Sequence, residues 1–212
     1  MPRYEHVIFD VDGTLIDTEK AVIYSLQKML KEDYNRELEA SELYFVLGIP
    51  GAVALPQLGI KDISHANERW NFFMKDFYHT MSVFDGITDL LIALHKQRML
   101  QGIVTSKTNV EFDEDFVQFG ITKYFSHIIC ADDTEKHKPN PEPLLQYMKI
   151  SNASPETSVY IGDTIYDYEC ARDAGIDFGL ALWGCKQHNH IPAKYKFETP
   201  QDVLRVLNKL ER

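Results

Sequence analysis

No apolar run in this chain approaches the ~20 residues needed to span a bilayer, which sets aside a membrane-spanning helix. Cysteine is scarce: Cys130, Cys170 and Cys185 are the only three, and no two lie close in sequence. A disulfide framework needs an even, spaced set, so the chain fits a reducing compartment. Residues 1–6 lead into a short apolar stretch that ends in acids, without the longer apolar region and small-residue cleavage site of a secretory signal. The expected location is the cytoplasm. Positive charge is also in short supply, with 22 Lys plus Arg against 32 acids and a formal net charge of −10. A chain this acidic has no general attraction for nucleic acid or an anionic membrane, and neither is expected as a partner. Internal repeats, low-complexity segments and an exposed heptad seam are missing too, so monomer is the default state and a dimer stays open.

What is present is ordinary for a globular protein: 212 residues, 44% hydrophobic and 25% charged, enough for one core plus a small insert. Val7-Ile8-Phe9, continuing through Val11, is β-branched or aromatic and reads as a buried strand that breaks at Asp12-Gly13-Thr14. From 17 to 83 apolar residues recur at helical spacing, as in Ala21, Leu26, Met29 and Leu30, or Trp70, Phe73 and Phe77. The spacing predicts an all-helical segment without a strand, broken by Gly48-Ile49-Pro50-Gly51 and Gly59. Beyond 84 the pattern alternates. Helices are predicted over 87–97, 110–119, 141–149 and 166–174, the last stopped by Gly175; strands are predicted over 101–105, 127–130, 159–161 and 178–182. Strands alternating with helices of this length mean βαβ units and a mostly parallel sheet. The first strand joins that sheet only if the helical stretch is an insertion. The expected fold is therefore α/β, a Rossmann-like parallel-sheet core of 1–16 and 84–212 with an all-helical cap of 17–83.

In such a sheet, ligands bind beyond the carboxyl ends of the strands. Four segments place polar groups there: Asp10-Val11-Asp12-Gly13-Thr14, Thr105-Ser106-Lys107, Lys138-Pro139, and Gly162-Asp163-Thr164 with Asp167. Four carboxylates converging in a partly buried site repel one another. A hard divalent cation relieves that conflict, and oxygen ligands with open positions suit Mg²⁺. A threonine hydroxyl and a lysine ammonium are natural donors to the remaining oxygens of a phosphate.

In order and spacing, these four segments resemble the four motifs of the haloacid dehalogenase superfamily, and in particular its phosphoglycolate phosphatase-like branch, whose helical cap follows the first motif. Trp183-Gly184 after the last strand also looks like that branch. The resemblance implies a Mg²⁺-dependent phosphatase acting on a small phosphorylated metabolite through an aspartyl phosphate. It implies Asp10 as nucleophile, Asp12 as acid and base, and Thr105 and Lys138 as catalytic donors to the phosphoryl oxygens. Gly13, Thr14, Ser106 and Lys107 would bind phosphate or substrate. The metal set would be Asp10, Asp12 through its backbone carbonyl, Asp163 and Asp167, the last as an auxiliary ligand or as the partner that orients Lys138. Asp12 is expected to be protonated first, because neighbouring carboxylates crowd it.

Rival readings keep the same core. A phosphomutase similar to β-phosphoglucomutase would need cap bases for a second phosphate, and no clear cluster of them is seen. A dehalogenase has no need of Asp12, Asp163 and Asp167 together. A non-catalytic binding protein of the same fold would not turn over any phosphate ester. Cys185-Lys186-Gln187-His188-Asn189-His190 invites a zinc reading but lacks a fourth ligand.

Overall fold

The computed structural model describes residues 4–185 and 190–210. The first strand, β1 (His6–Phe9), is buried along its whole length. Its side chains alternate between two cores, as the pleat requires. Val7 and Phe9 join one cluster, while Ile8 joins another on the opposite face. Next come β2 (Ile16–Asp17), then four helices: α1 (Glu19–Tyr34), α2 (Ala40–Leu43), α3 (Gly51–Gln57) and α4 (Ile63–Met74). The chain returns through β3 (Ser82–Val83), which pairs antiparallel with β2.

From there strands and helices alternate: α5 (Ile87–Lys96), β4 (Leu100–Val104), α6 (Asn109–Asp115), β5 (His127–Ile129), α7 (Glu142–Ser151), β6 (Ser158–Gly162), α8 (Ile165–Ala174), β7 (Asp177–Ala181), β8 (Tyr195–Phe197) and α9 (Pro200–Leu210). The main sheet has the order β5-β4-β1-β6-β7-β8, and every pairing in it is parallel. One face is covered by α5 and α9, through Leu90, Leu91, Leu94, Val203 and Leu207. The other is covered by α7 and α8, through Leu144, Tyr147, Cys170 and Ala171. This is the three-layer α/β arrangement expected from the alternating pattern. None of the helices, among the described residues, is long and apolar enough to cross a membrane.

The helices α1, α3 and α4 have a core of their own. Leu26, Met29 and Leu30 of α1 face Trp70, Phe73 and Met74 of α4, with Leu55 of α3 beside them. Trp70 buries its ring there because its indole N–H finds a partner, donating to the Ser25 hydroxyl at 2.9 Å. Three features depart from the sequence expectation. The β2–β3 ribbon lies where only helix was expected, since two-residue strands are too short to show a period of two. The helix expected over 110–119 ends at Asp115 and gives way to a single 3₁₀ turn, Val117–Phe119, closed by Gly120 at φ 69°. Finally, β8 and α9 extend the sheet and its cover beyond the last predicted strand.

Candidate active site

Three neighbouring strands of the sheet, β4, β1 and β6, are followed directly by Thr105, Asp10 and Asp163 respectively. Lys138, from the loop between β5 and α7, reaches across their ends. Its Nζ lies 2.8 Å from Asp10 Oδ1 and 2.7 Å from Asp167 Oδ1, and all three side chains are at most 2% exposed. It also donates to the Tyr160 hydroxyl at 3.1 Å, which lies 2.9 Å from Asp167 Oδ1 and 2.9 Å from the Val104 carbonyl. Asp167 is fixed by the start of α8. Thr164 is the N-cap and Asp167 the third residue of a capping box: Thr164 donates to Asp167 Oδ2 from its amide at 3.0 Å and from its hydroxyl at 2.6 Å, and accepts the Asp167 amide in return.

Asp10, Asp163 and Asp167 each offer a carboxylate oxygen within 4.8 Å of the others, and all are buried. Burial pushes the Asp10 carboxyl up to about 7 against the pull of Lys138, with Asp167 and Asp12 adding to the rise. Burial, followed by Asp167 and Asp10, holds Asp163 well above the usual carboxylate range. Burial also works against the Lys138 ammonium, yet Asp10 and Asp167 outweigh it and hold its pKa above that of an ordinary lysine. One lysine does not neutralise three buried carboxylates. Hard oxygen donors in that excess fit Mg²⁺, so the residues present suit the cation expected from the sequence.

The glycine at position 13 lets the loop after β1 close over Asp163. Gly13 has φ +74°, and a Cβ there would sit 2.3 Å from Asp163 Oδ2. A Cβ at Gly184 would in turn lie 1.7 Å from the Gly13 carbonyl oxygen. Trp183 anchors that approach, its indole donating to the Thr14 carbonyl at 2.9 Å. Thr105 is buried, and its hydroxyl accepts the Lys107 amide at 3.2 Å, leaving its own proton available.

A second buried lysine sits beside the first group. Lys107 Nζ lies 2.7 Å from Asp115 Oδ2 and 3.1 Å from Asp12 Oδ1. The Tyr78 hydroxyl also bonds Asp115. Asp12 faces a cavity of about 140 Å³ that is bounded below by Gly13, Lys107 and Asp163 and above by the 48–51 loop, Trp70 and Met74. The Ser106 hydroxyl crosses this boundary and donates to the Gly48 carbonyl at 3.1 Å.

The remaining expected site residues have further partners within the protein. The Gly13 and Thr14 amides donate to the Ile16 and Val11 carbonyls within the loop. Thr14 also donates its hydroxyl to Asp163 Oδ1 at 3.0 Å, so both residues brace the carboxylates. Lys107, like Lys138, is engaged by two carboxylates. Asp12 has the Lys107 ammonium as a close neighbour, so crowding by carboxylates is not its whole environment. The Asp12 side chain also stands outside the group of three carboxylates, which leaves its backbone carbonyl as its expected route to a cation. Asp115 and Tyr160 are not among the expected site residues, and Thr164 stands in its motif without a role. For Thr164 the signal was available in the Thr-x-x-Asp capping spacing. Asp115 and Tyr160 carry no local signal, because their partners belong to other elements of the fold. Of the zinc segment, Lys186, Gln187, His188 and Asn189 lie outside the described residues.

Comparison with known proteins identifies the family. The family model described as haloacid dehalogenase-like hydrolase matches residues 7–181. An N-acetylmuramic acid 6-phosphate phosphatase from Pseudomonas putida is 33% identical, over 86% of this chain and 84% of that protein. A phosphoglycolate phosphatase from Aquifex aeolicus is 28% identical, over 95% and 96%. The crystal structure of a protein from Lactobacillus plantarum superposes with a TM-score of 0.89, covering 96% of this chain and 99% of that one at 29% identity. The chain thus belongs to the haloacid dehalogenase-like hydrolase family, as a phosphoric monoester hydrolase.

Proposed function

We propose that this protein hydrolyses a small phosphate monoester with the help of bound Mg²⁺ and through an aspartyl phosphate on Asp10. In this reading 17–83 is a cap over a core made of 1–16 and 84–212. The observation that carries the reading is Lys138, held between Asp10 and Asp167 at 2.8 and 2.7 Å beside the buried Asp163. A carboxylate oriented by a buried ammonium, at a strand end shared with further carboxylates and a hydroxyl, suits phosphoryl transfer better than binding alone.

Asp10 attacks phosphorus in line, forming an O–P bond as the bond to the leaving oxygen breaks. Asp12 faces the cavity where the leaving group must lie, and gives its proton to that oxygen. Water then attacks phosphorus and passes a proton to Asp12. The bond from phosphorus to Asp10 breaks, inorganic phosphate departs and both carboxyl groups return to their starting state. Lys138 and the Thr105 hydroxyl donate to the phosphoryl oxygens throughout. Mg²⁺ held by Asp10, Asp163 and the Asp12 carbonyl, with Asp167 as auxiliary, would supply charge neutralisation for the same oxygens. A phosphomutase would need a basic site for a second phosphate above Asp12. The only base among the described residues that line the cavity is Lys107, already engaged by two carboxylates, which favours hydrolysis.

The test is phosphate release from para-nitrophenyl phosphate with Mg²⁺ or EDTA, for the wild type and Asp10→Asn. Activity should require Mg²⁺ and fall on the order of 10⁴-fold or more in Asp10→Asn, as expected for loss of a nucleophile. Activity indifferent to both, or no activity at all, would overturn the reading.

A further inference from the structure

Four residues of α4 at helical spacing, Asn67, Trp70, Asn71 and Met74, line the cavity above Asp12. Three of them carry hydrogen-bonding groups, and two of these are committed inside the protein. The Trp70 indole donates to the Ser25 hydroxyl at 2.9 Å, and the Asn71 amide donates to Glu111 Oε1 at 2.8 Å. Asn67 is the exception. Among the described residues its carboxamide has no hydrogen-bond partner. Its position is nevertheless set. A Cβ at Gly51, the first residue of α3, would lie 1.9 Å from Asn67 Oδ1 and 3.6 Å from Trp70 Cζ3, so the oxygen stands against the bare Gly51 Cα. Gly51 is not among the glycines of positive φ, so the missing side chain, rather than backbone freedom, is what this position uses. A Cα–H group is a weak donor and suits an oxygen better than an NH₂. The N–H donors of Asn67 are therefore left over at the cavity wall.

We infer that Asn67 is a specificity-determining residue: it donates to a hydroxyl oxygen of the leaving alcohol, so that polyol phosphates are hydrolysed in preference to alkyl phosphates of the same length. The inference rests on the phosphatase reading above, with the scissile phosphate at Asp10 and the leaving group in the cavity. An apolar leaving group would cover the Asn67 donors and give them no partner, which costs the desolvation of an unbonded polar group. A hydroxyl of the leaving group satisfies the same donors, and discrimination follows from that difference. Asn67 stands away from Lys138 and Asp10 in the fold, on the helical segment, so it acts on binding of the leaving group rather than on the reacting atoms. Gly51 serves the same contact, because any side chain there would displace the carboxamide.

Glycerol 1-phosphate and propyl phosphate share a carbon chain and a charge and differ only in hydroxyls. Their kcat and KM should be measured with para-nitrophenyl phosphate as the reference substrate. In the wild type, kcat/KM for glycerol 1-phosphate should exceed that for propyl phosphate by about tenfold, the scale of one hydrogen bond. Asn67→Ala, and Asn67→Asp, which keeps the shape but lacks the N–H donors, should each lower that ratio about two- to tenfold, chiefly through KM. Gly51→Ala leaves Asn67 in the chain but moves its carboxamide, and should lower the ratio as well. It demands no left-handed φ, so the fold should hold, which a thermal melt checks. If para-nitrophenyl phosphate is hydrolysed but glycerol 1-phosphate is no better than propyl phosphate, or the ratio is the same in the wild type and all three variants, the inference falls and the phosphatase reading stands. If no ester, including the reference, is turned over, the phosphatase reading falls and takes the inference with it.

Discussion

Lys138 and Lys107 are two versions of one local arrangement. Each is a buried ammonium between two carboxylates, with ion-pair distances of 2.8 and 2.7 Å around Lys138 and of 3.1 and 2.7 Å around Lys107. In each case burial disfavours the charge and the flanking acids outweigh it, holding the lysine pKa above its ordinary value. The two differ in what lies beyond the pair. Both partners of Lys138 stand in the three-carboxylate group at the ends of β1 and β6. One partner of Lys107, Asp12, opens onto the cavity under the helical segment, and the other, Asp115, closes α6. The same pairing energy therefore serves a reacting centre in one place and the wall of a pocket in the other. Burial and pairing alone do not identify a catalytic lysine.

The largest effects separate these roles. Replacing Lys138 by alanine leaves two buried carboxylates without their cation, and replacing Lys107 leaves one, Asp115, beside the partly exposed Asp12; breaking a buried pair costs about 3–5 kcal/mol. Chemical denaturation should show a similar stability loss in Lys138→Ala and Lys107→Ala. Activity should not be similar. Lys138→Ala should lower kcat by about 10²–10³-fold, the usual effect of removing one donor to a developing oxyanion. Lys107→Ala should cost about tenfold, the scale of the ion pair that Lys107 makes with Asp12. Equal losses of activity would erase the distinction between the two.

The cation should sharpen it further. In its absence, the Asp10 carboxyl is pushed up to about 7 by burial. The folded state then holds a proton that the unfolded chain would release near pH 4. The stability tied to this group is complete below that value and is lost as the pH rises toward 7. Mg²⁺ must displace the proton, so its stabilisation should be greater at pH 8 than at pH 5. At a hundredfold excess over Kd it amounts to about 2.7 kcal/mol, a rise in Tm on the order of 5–10 °C for a chain of this size. Thermal melts with and without Mg²⁺ should show this gain in the wild type and in Asp115→Asn. It should be lost in Asp163→Asn. A gain that survived in Asp163→Asn would move the cation away from the Lys138 side.

The contrast also explains what could be read from the sequence. Val7-Ile8-Phe9 announced a strand buried on both faces, and the strands at 100–104, 127–129, 158–162 and 177–181 form within a residue or two of their apolar runs. Asp10, Thr105 and Asp163 were legible because each directly follows such a run, where a parallel sheet collects its ligands. Lys138 was legible only by resemblance, since nothing in its local sequence shows that it reaches Asp10. Lys107 was seen as a polar residue after a strand, but its ion pair with Asp115 was not, because Asp115 belongs to another element and tertiary ion pairs leave no periodic trace. The short β2–β3 ribbon was missed for a different reason, because two residues per strand display no alternation. The bonds of the Gly13 and Thr14 amides were not legible because a tight loop satisfies its own donors, a geometry that composition does not reveal.

The smallest expected effect concerns how the two halves of the pocket are joined. Asn71 of α4 donates to Glu111 Oε1 of α6 at 2.8 Å, while Glu111 Oε2 accepts the Thr108 amide as part of a capping box. The acceptor is thus pinned before Asn71 arrives, and little side-chain freedom is lost in forming the bond. Such a bond contributes about 0.5–1.5 kcal/mol, and here it ties the helical segment to the core at the cavity wall. Lys75 and Glu114 span the same gap at 3.0 Å, but both are about half exposed, where an ion pair contributes ~0–1 kcal/mol. Asn71→Ala should therefore raise KM by about two- to tenfold with little change in kcat, because it loosens the pocket without touching Lys138 or Asp10. Lys75→Ala should change KM less, and raising the salt concentration in the wild type should reproduce that smaller change. A fall in kcat for Asn71→Ala comparable with that of Lys138→Ala would mean that the pocket wall and the reacting centre act as one unit, against the division of roles between the two lysines.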